Sequence, residues 1–197
     1  MFQTDVNLRY KSGDAVKNIG EEDDTEDTGQ KGFNYRAEPL WFRMGYLPQT
    51  PAQITRDQNF FNVLSNTKVG ADPVTPIFTA TAAQAVRFRV ADPGGHARNN
   101  VFALHGHIWD EEPWSTNGLS QAFNPISERK GAEFGMGATG HHNFLLRNGA
   151  GGAFRVTGDY LYRSFQSFMF DGGLWGIFRV KSTPSGGGGG GIVVTEP

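Results

Sequence analysis

The chain of 197 residues contains no cysteine. That absence excludes disulfides, thiolate zinc sites and cysteine nucleophiles. It also excludes a blue-copper centre, which needs a thiolate ligand. No run of about 18 apolar residues occurs, so no segment has the make-up of a bilayer-spanning helix. Charge of one sign is scarce as well. The formal net charge is −2, which provides no field that would draw nucleic acid or an anionic membrane. The opening residues MFQTDVNLRYKSGDAVKNIG lack the basic-then-apolar plan of a secretory leader, so export would use a signal that lies elsewhere or has been removed. Beyond residue 76 no long stretch of helical period is found.

What the chain has is glycine, proline and aromatic residues. The 27 Gly, 10 Pro and 16 Phe, with 38% hydrophobic residues, suit a loop-rich β protein. The length allows one domain with a full core and an extended lead-in. Residues 1–38 carry nine acidic and five basic side chains, among them Glu21, Glu22, Asp23, Asp24, Glu26 and Asp27. A block of like charge reads as a solvated loop. A calcium loop would want Gly at position 28 and Glu near position 34, which are Thr28 and Asn34. The aromatic and Pro-rich FNYRAEPLWFRMGYLPQTP (33–51) reads as an irregular segment laid across an apolar surface, and ITRDQNFFNVLSN (54–66) as a short helix.

After Pro76 the pattern becomes that of strands. IFTAT is followed by Arg87 and Arg89 alternating with Val86, Phe88 and Val90, then by a Pro-Gly turn. NVFALHGHIW (100–109), HNFLLRN (142–148), GAFRVTG (152–158), DYLYRSF (159–165) and GLWGIFRV (173–180) follow, divided by Gly or Asn-Gly signals. Short strands at this spacing predict an all-β sandwich or barrel. Three units are expected: a lead-in over 1–75, a sandwich over 76–182, and a Gly-rich tail over 183–197 with six consecutive glycines.

Few motifs carry chemistry. GMGATG (135–140) fits G-x-G-x-x-G, but it is followed by the strand-like HHNFLL rather than a helix, so it reads as a glycine loop and not a dinucleotide site. Ser164 in YRSFQS lacks the G-x-S-x-G elbow of an exposed nucleophile. His105 and His107 lie two apart, which on a strand points both rings to one face. His142 could join them, giving a weak candidate site for copper or zinc at His105, His107 and His142. The bland reading is that His107 caps a turn and His105 hydrogen-bonds within the sandwich.

Two blocks together resemble the last cupredoxin domain of multicopper oxidases. VFALHGHIW is similar to the family's H-P-x-H-L-H-G-H strand. GDYLYRSFQSFMFDGGLWGIFRV is similar to its closing block, P-G-x-Y-x-Y-H-C-H-x-x-x-H-x-x-x-G-M-x-G-x-F-x-V, and keeps Gly173, Gly176, Phe178 and Val180. With FNYRAEPLWFR, the chain looks most like the C-terminal end of large bacterial oxidases of the manganese-oxidase type. The resemblance implies a Greek-key cupredoxin-like β-sandwich behind an irregular N-terminal lead-in, and a copper-dependent parent that oxidises a phenol or metal ion while reducing oxygen. It implies a periplasmic or extracellular setting and, as partners, other cupredoxin domains of the parent chain, with self-association open to a domain without them. It also places the family's ligands on this sequence. The first type 1 histidine falls on Asn100, and two trinuclear-site histidines fall on Ala103 and His105. The H-C-H triplet falls on Arg163, Ser164 and Phe165, the later type 1 histidine on Met169, and the axial position on Leu174.

On this carry-over one ligand, His105, remains, and the chain by itself has neither a type 1 copper site nor assigned catalytic residues. Arg163 and Asp171 are candidates for an ion pair across the former site. The alternative reading is a non-enzymatic, secreted binding module whose aromatic loops (Trp109, Trp114, Phe123, Phe134) contact a partner or polymer.

Overall fold

The computed structural model describes residues 1–6, 9–14, 30–45, 64, 72–94, 99–114, 123–165 and 167–183. The expected helix at 54–66, apart from Leu64, lies outside these residues, as do the acidic run, His96 and the glycine tail.

The lead-in supplies a hairpin, β1 (Phe2–Val6) against β2 (Gln30–Phe33), and one helical turn, α1 (Leu40–Arg43). The sandwich follows with β3 (Ile77–Thr81), β4 (Arg87–Ala91), β5 (Asn100–Leu104), β6 (Trp109–Asp110), β7 (Arg129–Lys130), β8 (Ala132–Met136), β9 (His141–Leu145), β10 (Gly158–Ser164), a turn of helix α2 (Ser167–Asp171) and β11 (Trp175–Lys181). Five strands form one mixed sheet in the order β3-β11-β10-β5-β8, in which only β3 and β11 run parallel. The opposing layer is the antiparallel pair β4-β9. After β8 the chain crosses to β9 and then returns to lay β10 beside β5, a Greek-key connection. The chain is thus an all-β sandwich, one of the two forms that strand spacing allows, with the Greek-key connection that the resemblance implies.

Alternation explains which residues face inward. Along β4, Arg87 and Arg89 are exposed while Phe88 and Val90 are buried. They meet Phe102, Leu104, Tyr162, Phe178 and Val180 of the larger sheet in one core. Phe102 stacks on Phe144 at 5.4 Å, and Phe88 meets Phe178 edge-on at 5.3 Å, two of the geometries aromatic quadrupoles favour. The Tyr162 hydroxyl donates to the Pro76 carbonyl at 2.7 Å, which satisfies its one buried polar atom.

β11 is buried on both faces, which is why WGIFRV reads as an almost unbroken apolar run. Its inner residues Phe178 and Val180 join the core. Its outer residues Trp175 and Ile177 pack with Phe170 and with Leu40 and Trp41 of α1. The segment around residue 40 is therefore laid across an apolar surface as expected, in the form of a helical turn. It is pinned there by the Trp175 indole N–H, which donates to the Glu38 carbonyl at 2.8 Å. The hairpin reaches the other face, where Phe2 and Phe33 enter the main core beside Phe102 and Tyr162.

Two expected strands take a different form. GAFRVTG is a 3-10 turn over Gly152–Phe154 flanked by left-handed Gly151 and Arg155, with Phe154 exposed. Glycines clustered from Gly149 to Gly152 favour such a turn over a ladder. NVFALHGHIW stops being a strand at Leu104, because Gly106 takes φ +73° and the chain turns before Trp109 starts β6. His105 and His107 are consequently turn residues, and the same-face argument for them does not hold.

Candidate functional site

Strands β5 and β10 pair with Arg163 opposite Ala103 and Ser164 opposite Phe102. Neighbouring residues on a strand face opposite ways, so this strand pair carries two clusters, one on each face of the sheet.

The inner cluster contains Asn100, Ser164, Met169 and Leu174, each no more than 1% exposed. Backbone bonds hold the last three together: the Ser164 amide donates to the Leu174 carbonyl at 3.0 Å, and the Leu174 amide to the Met169 carbonyl at 2.9 Å. The Ser164 hydroxyl donates to Asn100 Oδ1 at 3.4 Å, and Asn100 Nδ2 donates to Asp92 Oδ2 at 2.8 Å. Asp92 Oδ1 in turn accepts from the Gly94 amide at 3.1 Å. A buried polar chain, Asp92–Asn100–Ser164, thus has its main groups paired, as burial demands.

These four residues occupy the positions onto which the sequence resemblance carries the type 1 copper ligands. Their chemistry does not fit that metal. An amide, a hydroxyl, a thioether and an alkyl group offer neither the thiolate nor the imidazoles of such a site. The amide is also already engaged on both of its polar atoms.

The outer cluster is built on Arg163. Its Nε donates to His105 Nε2 at 3.2 Å, and its guanidinium carbon lies 4.7 Å from the Phe165 ring centroid and 4.8 Å from that of Phe170. Asp171 stands near enough to feel Arg163. Even so, burial pushes its carboxyl up to about 6, with the attraction of Arg163 opposing. Burial likewise lowers Arg163, with Asp171 opposing, and lowers His105, with the Arg163 charge adding to the effect. The expected Arg163–Asp171 ion pair is replaced by an arginine clamped between two phenyl rings and bonded to a neutral imidazole. The two charges influence each other through space, without a direct contact among the described residues.

The three histidine candidates are not brought together. The His107 ring is 3% exposed, edge-on to Tyr160 at 4.5 Å and to Phe178 at 5.3 Å. Its Nε2 accepts from the Gly151 amide at 2.9 Å, which leaves the proton on Nδ1 to be donated to the His105 carbonyl at 3.2 Å. Both nitrogens hold turns in place, and burial lowers the pKa of the ring. His105 bonds Arg163, whereas His142 lies on β9 stacked against Phe144 at 5.7 Å. Among the described residues, no three His, Cys, Asp or Glu side chains group so as to hold a metal ion.

Of the aromatic-loop residues, Trp109 is fully buried in the core, while Trp114 and Phe123 are exposed. Phe123 lies under Arg147, which makes two 2.9 Å bonds to Asp110. The Phe134 side chain lies outside the described residues. Asp92 went unrecognised in the sequence because ADPGG carries only a turn signal, and nothing local marks its carboxylate as buried eight residues from its partner.

No protein-family model and no curated protein matches this sequence. Among solved structures, the chain is similar to Na-dithionite reduced auracyanin from the photosynthetic bacterium Roseiflexus castenholzii, at 15% identity and a TM-score of 0.33, over 53% of this chain and 83% of that one. So loose an overlap identifies no family, and the sandwich described here rests on its own strand pairing.

Proposed function

We propose that residues 76–182 are a cupredoxin-like domain of a multicopper oxidase-like protein, in which the type 1 copper position has been filled by packing so that the domain is structural. The observation that carries this reading is convergence. Four residues from β5, β10, α2 and the turn before β11, matched to ligand positions by sequence alone, are all buried and are linked by hydrogen bonds, Ser164 to Asn100 through its side chain and to Leu174, then Met169, through the backbone. A chance match of aromatic strands would have no reason to set Asn100, 64 residues upstream, on the Ser164 hydroxyl. The remaining parts of the proposal follow from the resemblance: a periplasmic or extracellular parent that oxidises a phenol or metal ion, and neighbouring cupredoxin domains as partners.

Copper loading of the purified chain, followed by desalting and metal analysis, is the first half of the test. The expected outcome is no retained copper. The second half rebuilds the site as Asn100→His, Ser164→Cys and Met169→His. The rebuilt chain should retain about one Cu(II) with the thiolate-to-copper absorption and paramagnetic resonance of a His2Cys site. A folded triple variant that binds no copper, or binds it without a thiolate signature, would refute the resemblance. Copper held by the unaltered chain and lost on His105→Ala would replace the structural reading with a rebuilt imidazole site.

A further inference from the structure

Among the described residues, the two layers of the sandwich end on one side in strands with no outer neighbour. Among those residues β3 is terminal in the five-stranded sheet and pairs with β11 alone, and β4 pairs with β9 alone. On β4 the Val86 carbonyl accepts from the Leu146 amide and the Asp92 amide donates to the Gly140 carbonyl. Alternation along an antiparallel ladder then points the amides and carbonyls of Arg87, Arg89 and Ala91 away from β9. Between the two edges lies a cleft of about 510 Å³ floored by Phe78, Phe88, Phe102, Tyr162 and Phe178 and lined also by Met1 and Phe33 of the lead-in hairpin. On the solvent side Arg87 and Arg89 are exposed, and neither has a carboxylate partner among the described residues.

We infer that the free edge of β4 receives an extended strand from a partner protein in which apolar and acidic residues alternate. The backbone of the incoming strand would pair with Arg87, Arg89 and Ala91. Its period of two would drop alternate apolar side chains into the cleft and raise the acidic ones toward the two arginines. Exposed charge on an edge strand also serves simply to repel other edges. That role needs no cavity beneath the strand, and here an apolar cleft lies against it. A second copy of this chain is a poor occupant, because pairing two β4 edges sets arginines against arginines. This inference goes beyond the copper reading and stands without it.

The test uses the full 197-residue chain with a synthetic peptide of alternating Val and Glu, its Val–Lys counterpart and a shuffled-order control. The Val–Glu peptide should bind best, weaken with added salt, and slow hydrogen exchange at the amides of Arg87, Arg89 and Ala91. The Arg87→Glu/Arg89→Glu variant should bind it about tenfold or more weakly and favour the Val–Lys peptide instead. Exchange protection in the unaltered chain is an independent readout if the variant folds poorly. Unprotected amides at saturating peptide, equal binding of the Val–Lys peptide, or sedimentation showing two copies joined at this edge would each overturn the inference.

Discussion

Asp171 and Arg163 show how burial outweighs attraction at the level of single residues. Each stabilises the charge of the other, yet burial moves both toward their neutral forms. The carboxyl ordinarily titrates near 3.8 and here near 6. The native state therefore keeps a proton that the unfolded chain releases between these values. Stability contributed by this group is greatest at the acid end and falls as pH rises through the window, so above pH 6 the full cost is present. Asp171→Asn should raise stability at pH 7 by roughly 1–3 kcal/mol and flatten the slope between pH 4 and 6, as read by urea unfolding at stepped pH. His105 works in the opposite sense. With its pKa lowered, its contribution is present above 6.5 and is lost on acidification, when protonation of Nε2 would oppose the Arg163 bond. Since His105 is common to both proteins, the difference between them isolates the carboxyl. A variant less stable than the parent at pH 7 would mean that Asp171 is a net stabilising partner after all.

At the scale of elements, the turn between β5 and β6 decides what the two histidines do. Gly106 at φ +73° sits under Tyr160, and an added Cβ would lie 2.8 Å from that ring. Gly106→Ala therefore combines left-handed strain of about 1–2 kcal/mol with displacement of an aromatic ring packed against His107. A loss of about 2–3 kcal/mol is expected, together with faster hydrogen exchange at the Gly151 amide, whose acceptor is His107. Unchanged exchange at Gly151 would show that the two turns are not coupled through that ring.

For the whole molecule, the described lead-in is part of the packed unit rather than an appendage. Its hairpin puts Phe2 and Phe33 between the sheets, and α1 covers the outer face of β11. The Lys31 amide donates to the Gly172 carbonyl at 3.0 Å, tying β2 to the turn before β11. Trp41→Ala should cost about 3–5 kcal/mol and lower one cooperative transition seen by both tryptophan fluorescence and far-ultraviolet dichroism. Two separated transitions, with only the first one moved, would show that the lead-in melts independently. No helix among the described residues is long and apolar enough to cross a membrane.

The positions of β3, β4, β5, β9, β10 and β11 and the inward set of β4 were legible in the sequence, because period-two alternation and Gly or Asn-Gly turns are local signals. The chemistry that cannot occur was legible as well: a chain without cysteine has no thiolate to give copper, whatever its fold. Only the tertiary structure decided the rest. The left-handed Gly106 separated His105 from His107, since a glycine in a strand-like run permits a turn without announcing one. Asp92 became the buried end of the chain through Asn100 to Ser164 because β4, β5 and β10 converge there from distant parts of the sequence. Arg163 settled between Phe165 and Phe170 instead of on Asp171, a choice set by burial and ring geometry. That β4 pairs with β9 alone among the described strands is likewise a property of sheet order. Pairing is a relation between segments far apart in the chain, and local periodicity reports which way a side chain faces but never who its neighbour is.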